Sequence, residues 1–293
     1  MDKQVYKANT LLMLTAVIWG TAFVAQRVGM SYVGPLTFNG IRFALGTMVL
    51  FPLAIMQKNA KAKGAENIVV PLLTRPAIFG GILAGIVLFS GATLQQIGLI
   101  YTTAGKAGFI TGLYVIIVPI LGLLWGHRPG WGGWLGAFLA SIGLYLLSVT
   151  EALTFAPGDL WELFGAFFWA AHILILNHLS PKANGIRLAC TQYAVCSFLS
   201  LIIAFFTEST SLNSLYGAFI PILYGGILSV GIAYTLQVIA QRHAPPIHVA
   251  IILSLEAVFA ALAGWIILGE ILSARGLVGC ILMLAGMITA QIW

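Results

Sequence analysis

Apolar residues run along this chain in stretches of about twenty, separated by short polar seams. The stretches fall at 8–27, 34–57, 77–99, 105–126, 131–150, 159–179, 187–207, 216–240, 247–268 and 275–293. About 20 apolar residues in an α-helix cross the ~30 Å of hydrocarbon in a bilayer. Every backbone N–H and C=O at that depth needs a partner in its own segment, which a helix supplies. The strict polar/apolar alternation of a membrane barrel is missing. The pattern therefore predicts an all-α integral membrane protein with ten transmembrane helices. The connections are short except for 58–76, which is long and basic.

Composition removes the soluble alternative. The chain is 60% apolar and 8% charged, with a mean hydropathy of +1.01. A soluble domain usually has about a quarter of its residues charged. The basic start and first apolar run also suit a signal peptide, but no clear small-residue cleavage site follows and further spans come at once, so a retained first helix is expected. Cys190, Cys196 and Cys280 all lie in apolar runs. Their spacing suggests neither a disulfide framework nor zinc.

Basic residues set the direction. With the N-terminus in the cytoplasm, the inner side holds Lys3, Lys7, Lys58, Lys61, Lys63, Arg75, Arg128, Lys182, Arg187 and Arg242. The outer side holds Arg27, Lys106 and Arg275, together with the acids Glu151, Asp159, Glu208 and Glu270. Ten spans bring the C-terminus back to the cytoplasm, giving a multi-pass protein of the inner membrane. The +6 net charge belongs to lipid-facing loops, and no basic, aromatic-interleaved patch suggests nucleic acid.

The chain also matches itself. A shift of 142 places Thr93-Leu94-Gln95 on Thr235-Leu236-Gln237, Leu113 on Leu255 and Gly122 on Gly264. A shift of 143 places Gly136 on Gly279 and Gly143 on Gly286. Upstream, 150 places Trp19 on Trp169 and Arg42 on Gln192. The collinear matches divide the chain into a first five-helix repeat, 1–150, and a second, 151–293. Five is odd, so the second repeat runs inverted through the bilayer. Inverted repeats are a recurring plan of secondary transporters, with the substrate near the midplane between the halves. Retention of the repeat for packing alone is the simpler alternative.

Several segments carry a family resemblance. "AVIWGTAFVAQ", "GPLTFNGIRFALG", "TTAGKAGFITGLYVIIVPIL" and "SLEAVFAALAGWIILGEILSARGLVG" resemble the drug/metabolite transporter (DMT) superfamily, EamA type. The resemblance covers nearly the whole chain and implies a ten-span, two-repeat carrier. It also implies export of small organic molecules, among them amino acids, other metabolites, drugs or nucleotide-linked sugars. Two positions depart from the family pattern. Its Leu-Glu-Pro is Leu255-Glu256-Ala257 here, which removes a possible kink. Its Gly-Glu at the end of the matching first-half helix is His127-Arg128.

Small residues and prolines punctuate the spans. Gly81/Gly85 and Gly108/Gly112 have the spacing that lets helix backbones approach. Pro119 suggests a bend or simple curvature in the fourth span, while Pro245 and Pro246 open the ninth.

Charged groups at mid-depth cost roughly 2.5–3.5 kcal/mol on insertion scales and usually face a cavity or a partner. Glu256, Arg42 and His172 lie at such depth. Glu256 either binds a substrate amine, carries a proton, or bonds neighbouring helices. Arg42 either meets a substrate carboxylate as a bidentate fork, pairs with Glu256, or caps carbonyls. His172 either titrates near neutral pH or is simply hydrogen-bonded. Trp19, Trp169 and Tyr114 are candidates to line an apolar cavity, with packing as the plainer reading. Gln95 and Gln237 are candidate gates near opposite faces, and Asn39 and Gln192 further amide contacts.

Enzyme signatures are missing. There is no His-Glu-x-x-His, no Gly-rich phosphate loop and no metal-ligand cluster, and no cofactor or metal is implied. Without an ATP motor, pumping depends on an ion gradient, exchange or downhill flow. The expected protein is thus a transporter of small organic metabolites, amino acids or similar zwitterions first, working by alternating access. It would sit in a lipid bilayer as a monomer or homodimer, with protons or a counter-substrate as possible partners. A nucleotide-sugar or drug carrier of the same superfamily is the near alternative. A membrane-embedded enzyme or a scaffold protein is the distant one.

Overall fold

The structure, a computed structural model, describes residues 3–56, 75–101, 104–148, 157–268 and 273–292. Most of the long basic connection and the boundary expected at 150/151 lie outside the described residues. Helices α1 (Lys3–Gly29), α2 (Pro35–Met56) and α3 (Arg75–Tyr101) open the chain. Next come α4, in pieces α4a (Ala104–Gly112) and α4b (Tyr114–Leu124), and α5 (Trp131–Ser148). The second half has α6 (Pro157–Leu179), α7 (Gly185–Thr207) and α8 (Phe219–Ala240), the last preceded by a short helix at Leu212–Gly217. It ends with α9, in pieces α9a (Pro246–Ser254) and α9b (Glu256–Leu268), and α10 (Ala274–Ile292). Among the described residues nine helices are long and apolar enough to cross a membrane, and Trp131–Leu147 is a shorter tenth.

The helices bury one face and turn many large apolar residues outward. On α1 the buried stripe is Ala8, Leu12, Ala16 and Gly20, four residues apart, which is one face of a helix. On α6, Glu162, Ala166, Trp169 and Ile173 point inward, whereas Leu160, Phe164, Phe167 and Phe168 are exposed. Exposed apolar surface of this extent suits hydrocarbon rather than water.

The two halves pack through pairs of contacts that repeat on exchange of the halves. α3 packs on α6 as α8 packs on α1, and α3 on α7 as α8 on α2. α1 packs on α9 as α6 packs on α4, while α2 meets α7 and α5 meets α10. The α5–α10 crossing displays the inversion directly. A Cβ on Gly136 would lie 2.6 Å from the Gly286 carbonyl oxygen, and one on Gly143 would lie 2.5 Å from that of Gly279. Residue 136 therefore meets 286 while 143 meets 279, so the helices run antiparallel. The repeat offset of 143 converts one contact into the other, as a two-fold axis through the crossing requires. Only glycine allows the backbones this close.

Both α4 and α9 are interrupted, and the interruptions match. The Leu113 N–H donates to the Ile110 carbonyl, and the Leu255 N–H to the Ile252 carbonyl, each at 3.2 Å. These three-residue bonds tighten the backbone locally and restart the helix one residue later. Two sequence expectations change here. The interruption of α4 lies at Leu113, and the helix continues through Pro119 in α4b. The absence of proline at Ala257 does not remove the break in α9, which occurs at Leu255 with no proline between 247 and 268.

α8 departs from regular geometry too. Tyr224–Tyr234 is a π-helix of 11 residues. Wide turns of this kind are rare, are frequent at functional sites, and change which carbonyls are free to accept side chains. Here Ser229 O accepts from Trp19 Nε1 at 3.3 Å, and Ala233 O accepts from Thr15 Oγ1 at 3.2 Å. Both donors belong to α1, so the irregular helix is fixed to the first span.

At the helix ends polar side chains replace missing backbone partners. Glu208, just past α7, accepts from Leu36 N and Thr37 N at 2.8 Å each. A carboxylate there suits the positive end of α2. On the other face, α4b stops at Gly126, the described glycine with positive φ (77°). His127 N donates to Gly122 O and Gly126 N to Leu123 O, a paired closure that uses glycine's access to left-handed backbone.

Candidate functional site

The helix breaks and the π segment converge on a central chamber. Its walls come from seven spans: Trp19, Phe23 and Gln26 of α1, Arg42 of α2, Gln95 of α3, and Thr111 and Tyr114 of α4. Trp169 and Ile173 of α6, Ser229, Tyr234 and Gln237 of α8, and Leu253 and Glu256 of α9 complete it. The cavity volume is about 30 Å³. That leaves room for a water or two between the walls in this conformation.

Tyr114 and Glu256 mark the axis between the halves. Each is the first residue after its helix break, and the two are 142 residues apart. The Tyr114 hydroxyl donates to Glu256 Oε1 at 3.1 Å. Equivalent positions that touch one another must lie on or beside a two-fold axis. Glu256 also begins α9b, where unpaired N–H groups favour negative charge.

Arg42 stands on another wall. It is 1% exposed, and its guanidinium lies 5.5 Å from the Phe38 ring centre and 5.1 Å from that of Phe43. Aromatic faces attract a cation at this range. Nε donates to Asn39 Oδ1 at 3.0 Å, while Nη2 has no partner. A buried cationic donor left unpaired is costly, and a ligand anion would satisfy it. Asn39 thus orients Arg42 from the adjacent turn.

Tyr234 is the centre of an aromatic cluster. Its ring lies 4.4 Å from Trp19 and is stacked on Trp169 at 6.1 Å. Phe43, Tyr193 and His172 surround it at 5.9, 6.1 and 6.5 Å. Trp19 and Trp169, repeat-related by 150, thus approach the same ring from opposite halves. The sequence reading missed Tyr234, although it directly precedes the repeated Thr-Leu-Gln word.

The other sequence candidates divide into wall and support. Gln95 and Gln237 both line the chamber, Gln95 toward the end of α3 and Gln237 toward the end of α8. His172 does not line it. Its Nε2 meets Gln192 Oε1 at 2.8 Å, behind Trp169, whose ring it meets edge-on at 6.1 Å. Asn39, which supports the lining residue Arg42, and Gln192, which pairs with His172, do not line the chamber either.

Two further residues escaped the sequence reading. Glu162 of α6 is fully buried and accepts from Thr111 Oγ1 at 2.9 Å. Thr111 in turn accepts from Gln95 Nε2 at 3.2 Å. Glu162 lies close to a span end, where a charge is unremarkable from sequence alone. Its burial depends on Gly98 of α3, where an added Cβ would come 2.6 Å from Glu162 Oε1.

Comparison with known proteins agrees with this architecture. The model of the EamA-like transporter family matches residues 6–149 and again 156–290. An uncharacterized transporter of Archaeoglobus fulgidus is 32% identical over 291 residues, covering 99% of this chain and 87% of its own length. The uncharacterized transporter YvbV of Bacillus subtilis is 28% identical over 214 residues, covering 71% of this chain and 67% of its own. A solved crystal structure superposes with a TM-score of 0.77 at 18% identity, covering 97% of this chain and 96% of that one, a likeness of fold. Two family matches that tile the chain, a full-length relative and a helical fold of two repeats together place this protein in the EamA-like transporter family, as a multi-pass membrane transporter of the drug/metabolite superfamily.

Proposed function

We propose that the protein is a secondary transporter that exports or exchanges small zwitterionic metabolites, amino acids first, across the cytoplasmic membrane by alternating access. The observation that carries the reading is the chamber itself. A guanidinium with an unpaired Nη2 and a carboxyl at a helix start share one cavity walled by Trp19, Trp169 and Tyr234. A zwitterion offers a carboxylate to Arg42 and an ammonium to Glu256, and its side chain meets the aromatic wall. Bidentate recognition of the carboxylate requires the planar fork of arginine, which lysine lacks. The paired breaks at Leu113 and Leu255 supply a hinge in each half, so opening to one side and then the other needs only exchange of their roles. The distribution of basic residues supports cytoplasmic termini.

Counterflow in proteoliposomes tests this. Labelled neutral amino acids are expected to exchange, and nucleosides and lipophilic cations are not. Arg42→Lys should raise KM by about tenfold or more, because one charge-assisted bond of roughly 1.5–3 kcal/mol is lost. Preferred flux of a lipophilic cation, unaffected by Arg42→Lys, would replace the zwitterion reading with that of a drug carrier.

A further inference from the structure

Behind the chamber, toward the face that holds the end of α3 and the start of α6, stands an acid the substrate reading does not use. Glu162 is five residues into α6, about 8 Å along the helix from Pro157 at 1.5 Å per residue. Its side chain is fully buried and does not line the chamber. Oε2 accepts from Thr111, whereas Oε1 is buried without a partner. A buried carboxylate with an unpaired oxygen carries an expensive charge, and a proton is the smallest ligand that neutralises it.

The site is also connected. Gln95 Nε2 donates to Thr111 Oγ1, and Thr111 Oγ1 donates to Glu162 Oε2. Gln95 and Thr111 both face the cavity. Two hydrogen bonds therefore join the substrate chamber to the buried acid. Movement of α3 or α4 when the chamber fills would alter the partners of Glu162. Both bonds run between helices: Gln95 is on α3, Thr111 on α4a and Glu162 on α6.

We propose that Glu162 is the coupling proton site of this transporter, separate from the Arg42 and Glu256 walls. The inference rests on the transport reading. While its side chain is buried, as here, the carboxyl holds its proton. Opening toward the near face admits water, which takes the proton from the carboxyl and leaves a carboxylate; reprotonation by hydronium restores the acid and a water. The groups around it accord with this role. Asp159 lies one turn away on the same helix and adds negative charge. α3 presents Gly98 and α4a presents Thr111, neither of which titrates. Tyr114 of α4b is engaged with Glu256, and His248 of α9a lies near the opposite face. Lys106 belongs to α4a, with its side chain outside the described residues.

Two measurements decide it. The first needs no substrate. Infrared difference spectra of protein in nanodiscs, between about pH 5 and pH 9, should contain a protonated-carboxyl C=O band that Glu162→Gln deletes and Glu162→Asp keeps at a shifted position. A spectrum unchanged by Glu162→Gln overturns the proposal. The second uses the amino acid with the fastest counterflow. One proton per substrate lets a one-unit pH gradient sustain about a tenfold concentration ratio. Glu162→Gln should bring that ratio to about one while counterflow persists, and Glu162→Asp should partly restore it. A ratio equal to that of the wild type in Glu162→Gln also overturns the proposal. Absence of flux with any amino acid in the wild type would instead refute the transport substrate, leaving the infrared result to judge the proton site.

Discussion

α4 and α9 break in the same way and present different chemistry. In each, the residue at the break donates to the carbonyl three residues back at 3.2 Å. In each, that residue's carbonyl then accepts from the N–H four residues on, Ile117 to Leu113 and Phe259 to Leu255. The first side chain after the break is Tyr114 in one half and Glu256 in the other, and these two bond to each other. A duplicated pair of tyrosines would leave the chamber without an acid, and a pair of glutamates would set two carboxyls side by side. The repeat has kept the backbone and divided donor from acceptor. At this pair of breaks the halves differ in side chain and agree in backbone, whereas α8, with its π segment, differs in backbone from the regular α3.

The frame is the part most sensitive to change. Gly136 and Gly108 are both helical glycines, but an added Cβ meets the Gly286 carbonyl oxygen at 2.6 Å in one case and nothing within 4 Å in the other. Gly136→Ala should destabilise by about 1–3 kcal/mol, because the neighbour is backbone and cannot rotate away. Gly108→Ala should stabilise by about 0.5–1 kcal/mol through helix propensity. Thermal unfolding in detergent reads both. Equal effects would mean that the α5–α10 crossing does not set the frame.

The divided chemistry comes next in size. Tyr114→Phe removes the bond to Glu256 and should cost about 1–3 kcal/mol in stability. Tyr114→Glu faces one acid with another and should cost more. The exchange Tyr114→Glu with Glu256→Tyr rebuilds the same bond across the axis in reverse. It should melt closer to the wild type than Tyr114→Glu alone, with a coupling of about 1 kcal/mol or more. A simple sum of the single effects would show that the two sites are not equivalent.

The sequence reading reached the ten spans because hydrocarbon demands length and apolarity, both countable along a chain. Its 142 and 143 offsets paired Leu113 with Leu255 and Gly136 and Gly143 with Gly279 and Gly286, without marking a helix break or a crossing there. It did not reach the π segment of α8, whose composition resembles that of any other span. Glu162 stayed hidden because its burial comes from Gly98 on another helix, and His172 stayed open between a titrating and a hydrogen-bonded group because depth alone cannot tell a chamber face from the layer behind it. Pro119 left a bend and simple curvature open, and the helix continues through it. A proline's local constraint is legible, but both breaks occur where no proline stands.

That last point has the smallest expected effect and the sharpest contrast. Ala257 is the second residue of α9b, directly after the break. Proline is tolerated in the first turn of a helix, where its missing N–H and fixed φ cost little. Ala257→Pro should therefore change stability by less than about 1 kcal/mol and leave flux near that of the wild type. Ala260→Pro, one turn further into the same helix, should cost about 3 kcal/mol or more. The comparison isolates the cause of the break. If proline made it, Ala257→Pro would deepen the kink and move Glu256 away from Tyr114, and the loss would match that of Tyr114→Phe. If the symmetric packing of α4 and α9 makes it, the proline enters a turn already shaped for it. A loss for Ala257→Pro as large as that for Ala260→Pro would rule out the second account.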